Sequence, residues 1–343
     1  MSIEQLLSLS SKKKASDLHL ITDMAPIVRI DGHLLKADEN VISDKEMKKI
    51  IFSLLVEDQQ KRLEKEKEFD FSYESSDGSR FRINIYYEKG NLGMVARVIS
   101  HSIPSLEEIE VPEVVRRLLQ LQQGLILVTG PTGCGKSTTL ASMIETINKE
   151  QNRNIITLED PMEFLFQSKK SIIIQRQLGT DMLSFKSALK HIVRQDPDVI
   201  MVGEMRDLET IAATVTLAET GHLVFATLHT YSAAQTIDRV IDIFPPHQQE
   251  QIKAQLSSVL SAVISQRLVS RKGGGRVAAR EILINSPAVS NLIRENKISQ
   301  IKTVIETGAK EGMITMEKAL KNLYKEGNIT KEEMDLHLTD AWG

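Results

Sequence analysis

The sequence predicts an α/β chain of two domains, a small α+β domain followed by a larger one built on a parallel sheet. Three observations predict it. At 343 residues the chain exceeds a usual single core. Residues 1–100 mix helical spacing with strand-like alternation, and residues 101–112 form a polar, proline-flanked stretch that reads as a linker. Residues 113–343 change to apolar strands alternating with helices, the signature of parallel βαβ units.

In chain order, Ile3 to Leu9 has helical spacing. The stretch SDLHLITDMAPIVRIDGHLL reads as two strands around a turn containing Pro26, then a tight turn at Asp31-Gly32. Ser43 is predicted to cap a helix, with Glu46 completing a capping box, and Met47, Ile50, Ile51, Leu54 and Leu55 follow at helical spacing. KRLEKEKEFD reads as the solvated end of a helix. Phe69 to Tyr73, a turn at Asp77-Gly78, and RFRINIYYEKGNLGMVARVI add three strands. Beyond the linker, strands are predicted at Leu125–Thr129, Asn154–Leu158, Val199–Val202 and Leu223–Ala226. Gly273, Gly274 and Gly275 form a hairpin tip between SQRLVS and RVAAREILI, and the C-terminal segment is helical.

Composition narrows the function classes. Hydrophobic residues at 41% and charged residues at 26% are ordinary for a globular protein, while aromatics are scarce at 4% and Trp342 stands almost at the C-terminus. The formal net charge of −3 gives no support to general nucleic-acid binding, which wants a basic surface. Lys12, Lys13 and Lys14 read as a solvated loop. Cys134 is the only cysteine, which excludes an intramolecular disulfide and a Cys-rich zinc module and fits a reducing cytosol. No signal pattern opens the chain, and no apolar run approaches the ~20 residues of a membrane span. Membrane contact is expected to be peripheral or through a partner.

The strongest signal is GLILVTGPTGCGKSTTLASMIETI. Gly130, Gly135, Lys136 and Ser137 satisfy G-x-x-x-x-G-K-[ST], with an apolar strand leading in and an amphipathic helix leading out. Glycines at 130, 133 and 135 let backbone N–H groups turn inward around phosphate oxygens, and the helix aims its positive end at the same anion. Residues Gly130, Pro131, Thr132, Gly133, Cys134, Gly135, Lys136, Ser137 and Thr138 are therefore expected to hold ATP. Lys136 would reach the β- and γ-phosphates, and the Ser137 hydroxyl would ligate Mg²⁺. Cys134 is read for its backbone N–H rather than as a redox thiol. A dinucleotide fingerprint is excluded, because G-x-G-x-x-G lacks its third glycine.

Further groups must hold metal and orient water. IITLEDPMEF places Glu159, Asp160 and Glu163 after an apolar strand, where α/β ligand sites cluster, although a capped turn before a helix explains Glu159 and Asp160 equally. Spacing alone assigns Glu163 no role. DPDVIMVGEMRD ends a second such strand at Glu204, the expected metal or water-positioning carboxylate, with Gly203 where an Asp is common. Arg82 and Arg97 lie on strands of the first domain and either face solvent or, in an oligomer, reach a neighbour's γ-phosphate. His222 and His229 bracket the strand LVFAT at a separation that suits no short metal pair, and phosphate sensing and structure remain equal readings.

Together, GPTGCGKSTT, ITLEDPMEF, RQDPDVIMVGEMRD and TGHLVFATLHT resemble the Walker A, Asp-box, Walker B and His-box segments of the secretion-type ATPase superfamily, in order. SDLHLITDMAPIVRIDG and AVSNLIREN are similar to the retraction ATPases of type IV pili, the PilT/PilU-like group, and the likeness covers nearly the whole chain. It implies a PAS-like N-terminal domain, a RecA-like P-loop NTPase domain, a homohexameric ring with ATP between the domains, and Mg²⁺-dependent ATP hydrolysis driving pilus retraction and twitching motility. It implies a cytoplasmic protein, peripheral at the inner membrane through a pilus platform protein, with a paralogous retraction ATPase as a further partner and no direct nucleic acid. Glu163 would be the general base, Glu204 would serve Mg²⁺ and coupling, His222 and His229 would couple nucleotide state to movement, and Arg82 and Arg97 would complete the pocket. AVSNLIREN would be the element needed for retraction, departing from A-I-R-N-L-I-R-E at Val289 and Ser290. YYEKGNLGMVARVI and GMITMEKALKNLYKEGNITKEEM are similar to the accessory paralogue. Three other readings compete: an assembly ATPase, disfavoured by a single cysteine and a short first domain; a nucleic-acid or conjugation motor, disfavoured by the acidic balance; and a subunit that holds nucleotide without turnover.

Overall fold

A computed structural model describes residues 2–13, 15–30, 32–99 and 102–339. The Lys14, Asp31 and Trp342 positions lie outside the described residues. The chain divides into two compact units, Met1–Ser102 with Glu163–Leu165, and Ile103–Met162 with Phe166–Gly343.

The first unit runs α1 (Ile3–Lys12), β1 (Asp17–Ile21), β2 (Ile27–Ile30), β3 (His33–Lys36), α2 (Asp44–Leu54), α3 (Glu57–Glu66), β4 (Glu68–Glu74), β5 (Arg80–Glu88) and β6 (Asn91–Ile99). Ser43 caps α2 by accepting from Glu46 N–H, and the Glu46 carboxylate accepts in turn from Ser43 N–H, the capping box the sequence indicates. Lys12 and Lys13 end a helix rather than sit in a loop, where cations offset the partial charge of the terminal carbonyls. The six strands form an antiparallel sheet ordered β3-β2-β1-β6-β5-β4. Strand alternation sorts its faces: Phe81, Ile83 and Ile85 are buried among Leu6, Leu7 and Met47 of the helices, while Arg82 and Arg97 fall on the opposite, polar face.

The second unit continues with α4 (Glu113–Leu118), β7 (Gly124–Thr129), α5 (Lys136–Glu150), β8 (Asn154–Glu159), β9 (Ile172–Gln177), α6 (Phe185–Ile192), β10 (Val199–Val202), α7 (Leu208–Glu219), β11 (Leu223–Leu228), α8 (Ala233–Asp242), α9 (Pro246–Val259), β12 (Leu260–Ser270), β13 (Arg276–Ile284), α10 (Pro287–Arg294), α11 (Ile301–Thr307), α12 (Met316–Lys325) and α13 (Lys331–Thr339). Its seven-stranded sheet is ordered β13-β12-β7-β11-β10-β8-β9, parallel except where β13 returns antiparallel along β12. Every residue of β7, β10 and β11 is buried, because helices cover both faces. Val115, Leu140 and Ile144 pack on one face, and Ile211, Ile237 and Ile293 lie in the core of the other.

Two further features depart from the sequence reading. No helix follows Asp160: residues 161–171 are irregular and lead into the additional edge strand β9. The capped-turn reading of Glu159 and Asp160 therefore fails, since no helix follows them. The strand around SQRLVS also starts earlier, at Leu260.

Candidate active site

The buried strand β7 delivers the chain to a glycine-rich loop at the C-terminal edge of the parallel sheet. Gly130 has φ 142°, and a Cβ there would lie 2.3 Å from the Gln266 carbonyl oxygen and 2.6 Å from Cys134 Sγ, so no side chain fits. Gly135 caps α5 in the left-handed region at φ 87°, which sends the helix N-terminus towards the loop. Cys134 is buried, and burial pushes its thiol pKa up, which suits a packing role rather than a nucleophile. Lys136 is almost wholly buried, with Nζ 2.8 Å from the Gly130 carbonyl and 3.1 Å from that of Pro131. An ammonium poised over the loop's own carbonyls sits where phosphate oxygens would compete for it.

Beside the loop, β10 ends and Glu204 follows Gly203. A Cβ on residue 203 would stand 3.2 Å from the Leu158 carbonyl and 3.4 Å from the Glu159 Cα, a close approach that glycine relieves. The Glu204 carboxylate lies 2.9 Å from Arg206 Nε and 3.2 Å from His229 Nε2. On its other side the His229 ring places Nδ1 3.4 Å from Lys136 Nζ and 3.5 Å from the Thr132 hydroxyl. Lysine can only donate, so Nδ1 accepts and Nε2 carries the proton it donates to Glu204. A continuous polar path thus runs from Lys136 through His229 to Glu204.

The two histidines separate here. In the parallel register Leu228 stands beside Thr129 and Leu223 beside Gly124, so His229 is level with the loop and His222 lies at the far end of the strand, roughly 23 Å away at ~3.3 Å per residue. His222 instead places Nδ1 2.9 Å from the Leu217 carbonyl and accepts from Gly124 N–H through its own carbonyl. Glu159 is buried and accepts from Thr157 Oγ1 at 2.6 Å and Gln175 Nε2 at 3.1 Å, a structural use of a carboxylate. Asp160 stands 3.8 Å from Arg206, and Glu163 is exposed in the irregular segment beyond.

In the first unit Arg82 and Arg97 face each other directly across β5 and β6. Arg97 Nε donates to the buried Asp17 at 2.8 Å, and Arg82 lies 3.8 Å from Asp70. On the sheet's polar face Arg97 is largely exposed and Arg82 is half-buried.

Sequence reasoning missed three participants. Arg206 holds Glu204, and Gln266 contacts the loop from β12. A buried hydroxyl chain also joins Ser265, Thr129, Thr236 and Thr230, with successive separations of 2.9, 3.4 and 2.7 Å. The available signal was a polar residue interrupting an apolar strand, as Gln266 does in LSAVISQRLVS.

Among the described residues, no helix is long and apolar enough to cross a membrane, and no cluster of three or more His, Cys, Asp or Glu could hold a metal. The family model for type II/IV secretion system proteins matches residues 1–335. The chain is 46% identical to the type IV pilus retraction ATPase PilT of Pseudomonas aeruginosa over 97% of its own length and 96% of the relative's. It is 37% identical to the type IV pilus ATPase PilU of the same organism, over 99% of this chain and 90% of the relative. A crystal structure of the pilus retraction motor PilT with bound ADP superposes with a TM-score of 0.91 at 44% identity, covering 97% of this chain and 96% of that one. The fold class is the expected one, a PAS-like α+β domain followed by a RecA-like P-loop NTPase domain. On a match that runs almost end to end, the chain belongs to the type II/IV secretion system protein family and, within it, to the PilT/PilU-like ATPases.

Proposed function

We propose that this chain is an ATPase that powers retraction of a type IV pilus, and hence twitching motility, by driving filament disassembly. The observation that carries the reading is the convergence of Lys136, His229 and Glu204 around the glycine-rich loop, with contacts of 3.4 and 3.2 Å, in a chain nearly collinear with PilT. The loop N–H groups and the start of α5 bind the triphosphate, and Lys136 neutralises charge on the β- and γ-oxygens. Glu163 is the general base that orients and deprotonates the attacking water. Loss of the γ-phosphate changes what Lys136 contacts, and His229 passes that change to Glu204. His222, far from this path within its unit, would contribute to coupling through α7 rather than by touching nucleotide. Arg82 and Arg97 complete the pocket of a neighbouring subunit.

Mg²⁺ fits this donor set, since the P-loop ion takes few protein ligands besides phosphates and water. Ser137 and Glu204 would hold it, and it would screen the phosphate charge. The working assembly is a homohexamer in the cytoplasm, peripheral at the inner membrane through a pilus platform protein. The functional domains are residues 1–100 and 113–343, joined by 101–112.

One observation favours an accessory, PilU-like role in a mixed ring. Position 290, an arginine in the usual retraction motif, is Ser290, whose hydroxyl donates to the Ser257 carbonyl at 2.8 Å. Deletion in the native host, scoring surface filaments and twitching, tests the proposal. Excess pili that do not retract are expected, and bald cells would overturn it in favour of an assembly ATPase. Turnover of the purified protein indistinguishable from that of Lys136→Ala would leave only the accessory reading.

A further inference from the structure

The phosphate loop is held from behind by a side chain that no nucleotide-binding motif contains. Gln266 lies in the middle of β12 and is 1% exposed. Its amide nitrogen donates to the Cys134 carbonyl at 2.7 Å. Its amide oxygen accepts from the Thr139 hydroxyl, one turn into α5, at 2.9 Å. Both halves of the amide are therefore used, one on the loop and one on the helix the loop feeds. Its backbone approaches just as closely, because the Gln266 carbonyl is the group that forbids a Cβ on Gly130.

The consequence follows from peptide geometry. A trans peptide is planar, and its C=O and N–H point in opposite directions. The Cys134 carbonyl belongs to the same peptide unit as the Gly135 N–H. Glycine at 135 offers little resistance to rotation of that unit, because it tolerates both signs of φ. Fixing the carbonyl outward on Gln266 therefore fixes the Gly135 N–H away from β12. We propose that Gln266 is a positioning residue of the nucleotide site: by tying the Cys134 carbonyl to α5 through Thr139, it keeps the Gly135 N–H directed at bound phosphate. The proposal rests on the loop being a nucleotide site, as above.

An amide meets the requirement at every pH. The side chain must donate to a carbonyl and accept from a hydroxyl at once, in a buried place where an unmet partner is costly. Leucine of similar size supplies neither bond. Glutamate supplies both while protonated, but once ionised it sets a negative oxygen against the Cys134 carbonyl. Burial raises the pKa of such a carboxyl, so Gln266→Glu acquires a pH dependence the wild type lacks.

The test is ADP affinity by calorimetry on the full-length wild type, Gln266→Leu, Gln266→Glu and Thr139→Val, with melting temperature measured alongside. Gln266→Leu and Thr139→Val are expected to melt below the wild type, their buried partners being unmet, and to weaken ADP by about tenfold or more at a temperature where each is still fully folded. Gln266→Glu is expected to bind ADP near the wild-type level at pH 5.5 and to lose affinity by pH 8, relative to the wild type at each pH. Unchanged affinity in Gln266→Leu, or a Gln266→Glu variant that tracks the wild type across that range, overturns the positioning role. Affinity lost only where a variant is already unfolding, and kept where it is fully folded, overturns it too, since that is plain core damage. Wild-type protein without ADP affinity would instead remove the nucleotide site itself, a separate failure.

Discussion

His229 gains its meaning from its neighbours, because it stands between an ammonium and a carboxylate at 3.4 and 3.2 Å. Sequence spacing treated it and His222 alike, yet the parallel register puts them at opposite ends of one strand. His229→Ala is accordingly expected to cut ATP turnover well beyond His222→Ala, with ATP affinity nearly kept; steady-state rates for both variants check this, and equal losses would contradict the path from Lys136 to Glu204. Glu163 belongs to the same scale. Glu163→Gln should keep ATP binding and lose about 10²-fold or more in turnover, the usual share of a general base. Unchanged turnover would remove it from that role. The motif residues 130–138, by contrast, were legible in the sequence because their chemistry is local: a bend, inward N–H groups and a helix start all follow from consecutive residues.

At the scale of elements, the strands and helices that alternate from β7 to β11 were readable from apolar runs alone. Edge strand β9 was not, since its outward Ile172 and Ile174 are exposed and blur the pattern of a buried strand. Element junctions also hide carboxylates whose role is positional. Glu281 of β13 is buried and accepts from Ala233 N–H at the start of α8 at 2.8 Å and from the Met316 N–H that opens α12. Burial raises its pKa, against which those two N–H groups act weakly. A raised folded-state value means the protonated form is favoured on folding, so this group's contribution is full at low pH and is lost as pH rises through the folded pKa. Glu281→Gln should therefore flatten the decline of melting temperature as pH rises above the ordinary carboxyl value of 4.5, relative to the wild type. A variant whose melting curve keeps the same pH slope would show that the carboxyl is not the titrating group.

For the whole molecule, the proposed assembly has Arg82 and Arg97 acting in a neighbouring subunit's pocket. An arginine supplied from outside the subunit is typically worth 10³–10⁵ in rate, or about 4–7 kcal/mol. Mixing Lys136→Ala with Arg82→Ala subunits measures it: an in-trans arginine lets the first lend its side chain to the intact pocket of the second, so the mixture should hydrolyse ATP faster than either alone. No recovery would place the arginine in its own subunit's site. The sequence by itself determined the α/β class, the two-domain order and the phosphate loop, because each is written in short-range spacing and hydrophobic period. Only the tertiary structure decided that Gly203 stands close against the Leu158 carbonyl, that His229 rather than His222 meets Lys136, and that Gln266 braces the loop. Those pairings join positions roughly 45 to 130 residues apart, and contacts of that range are set by strand order and register, which no local pattern encodes.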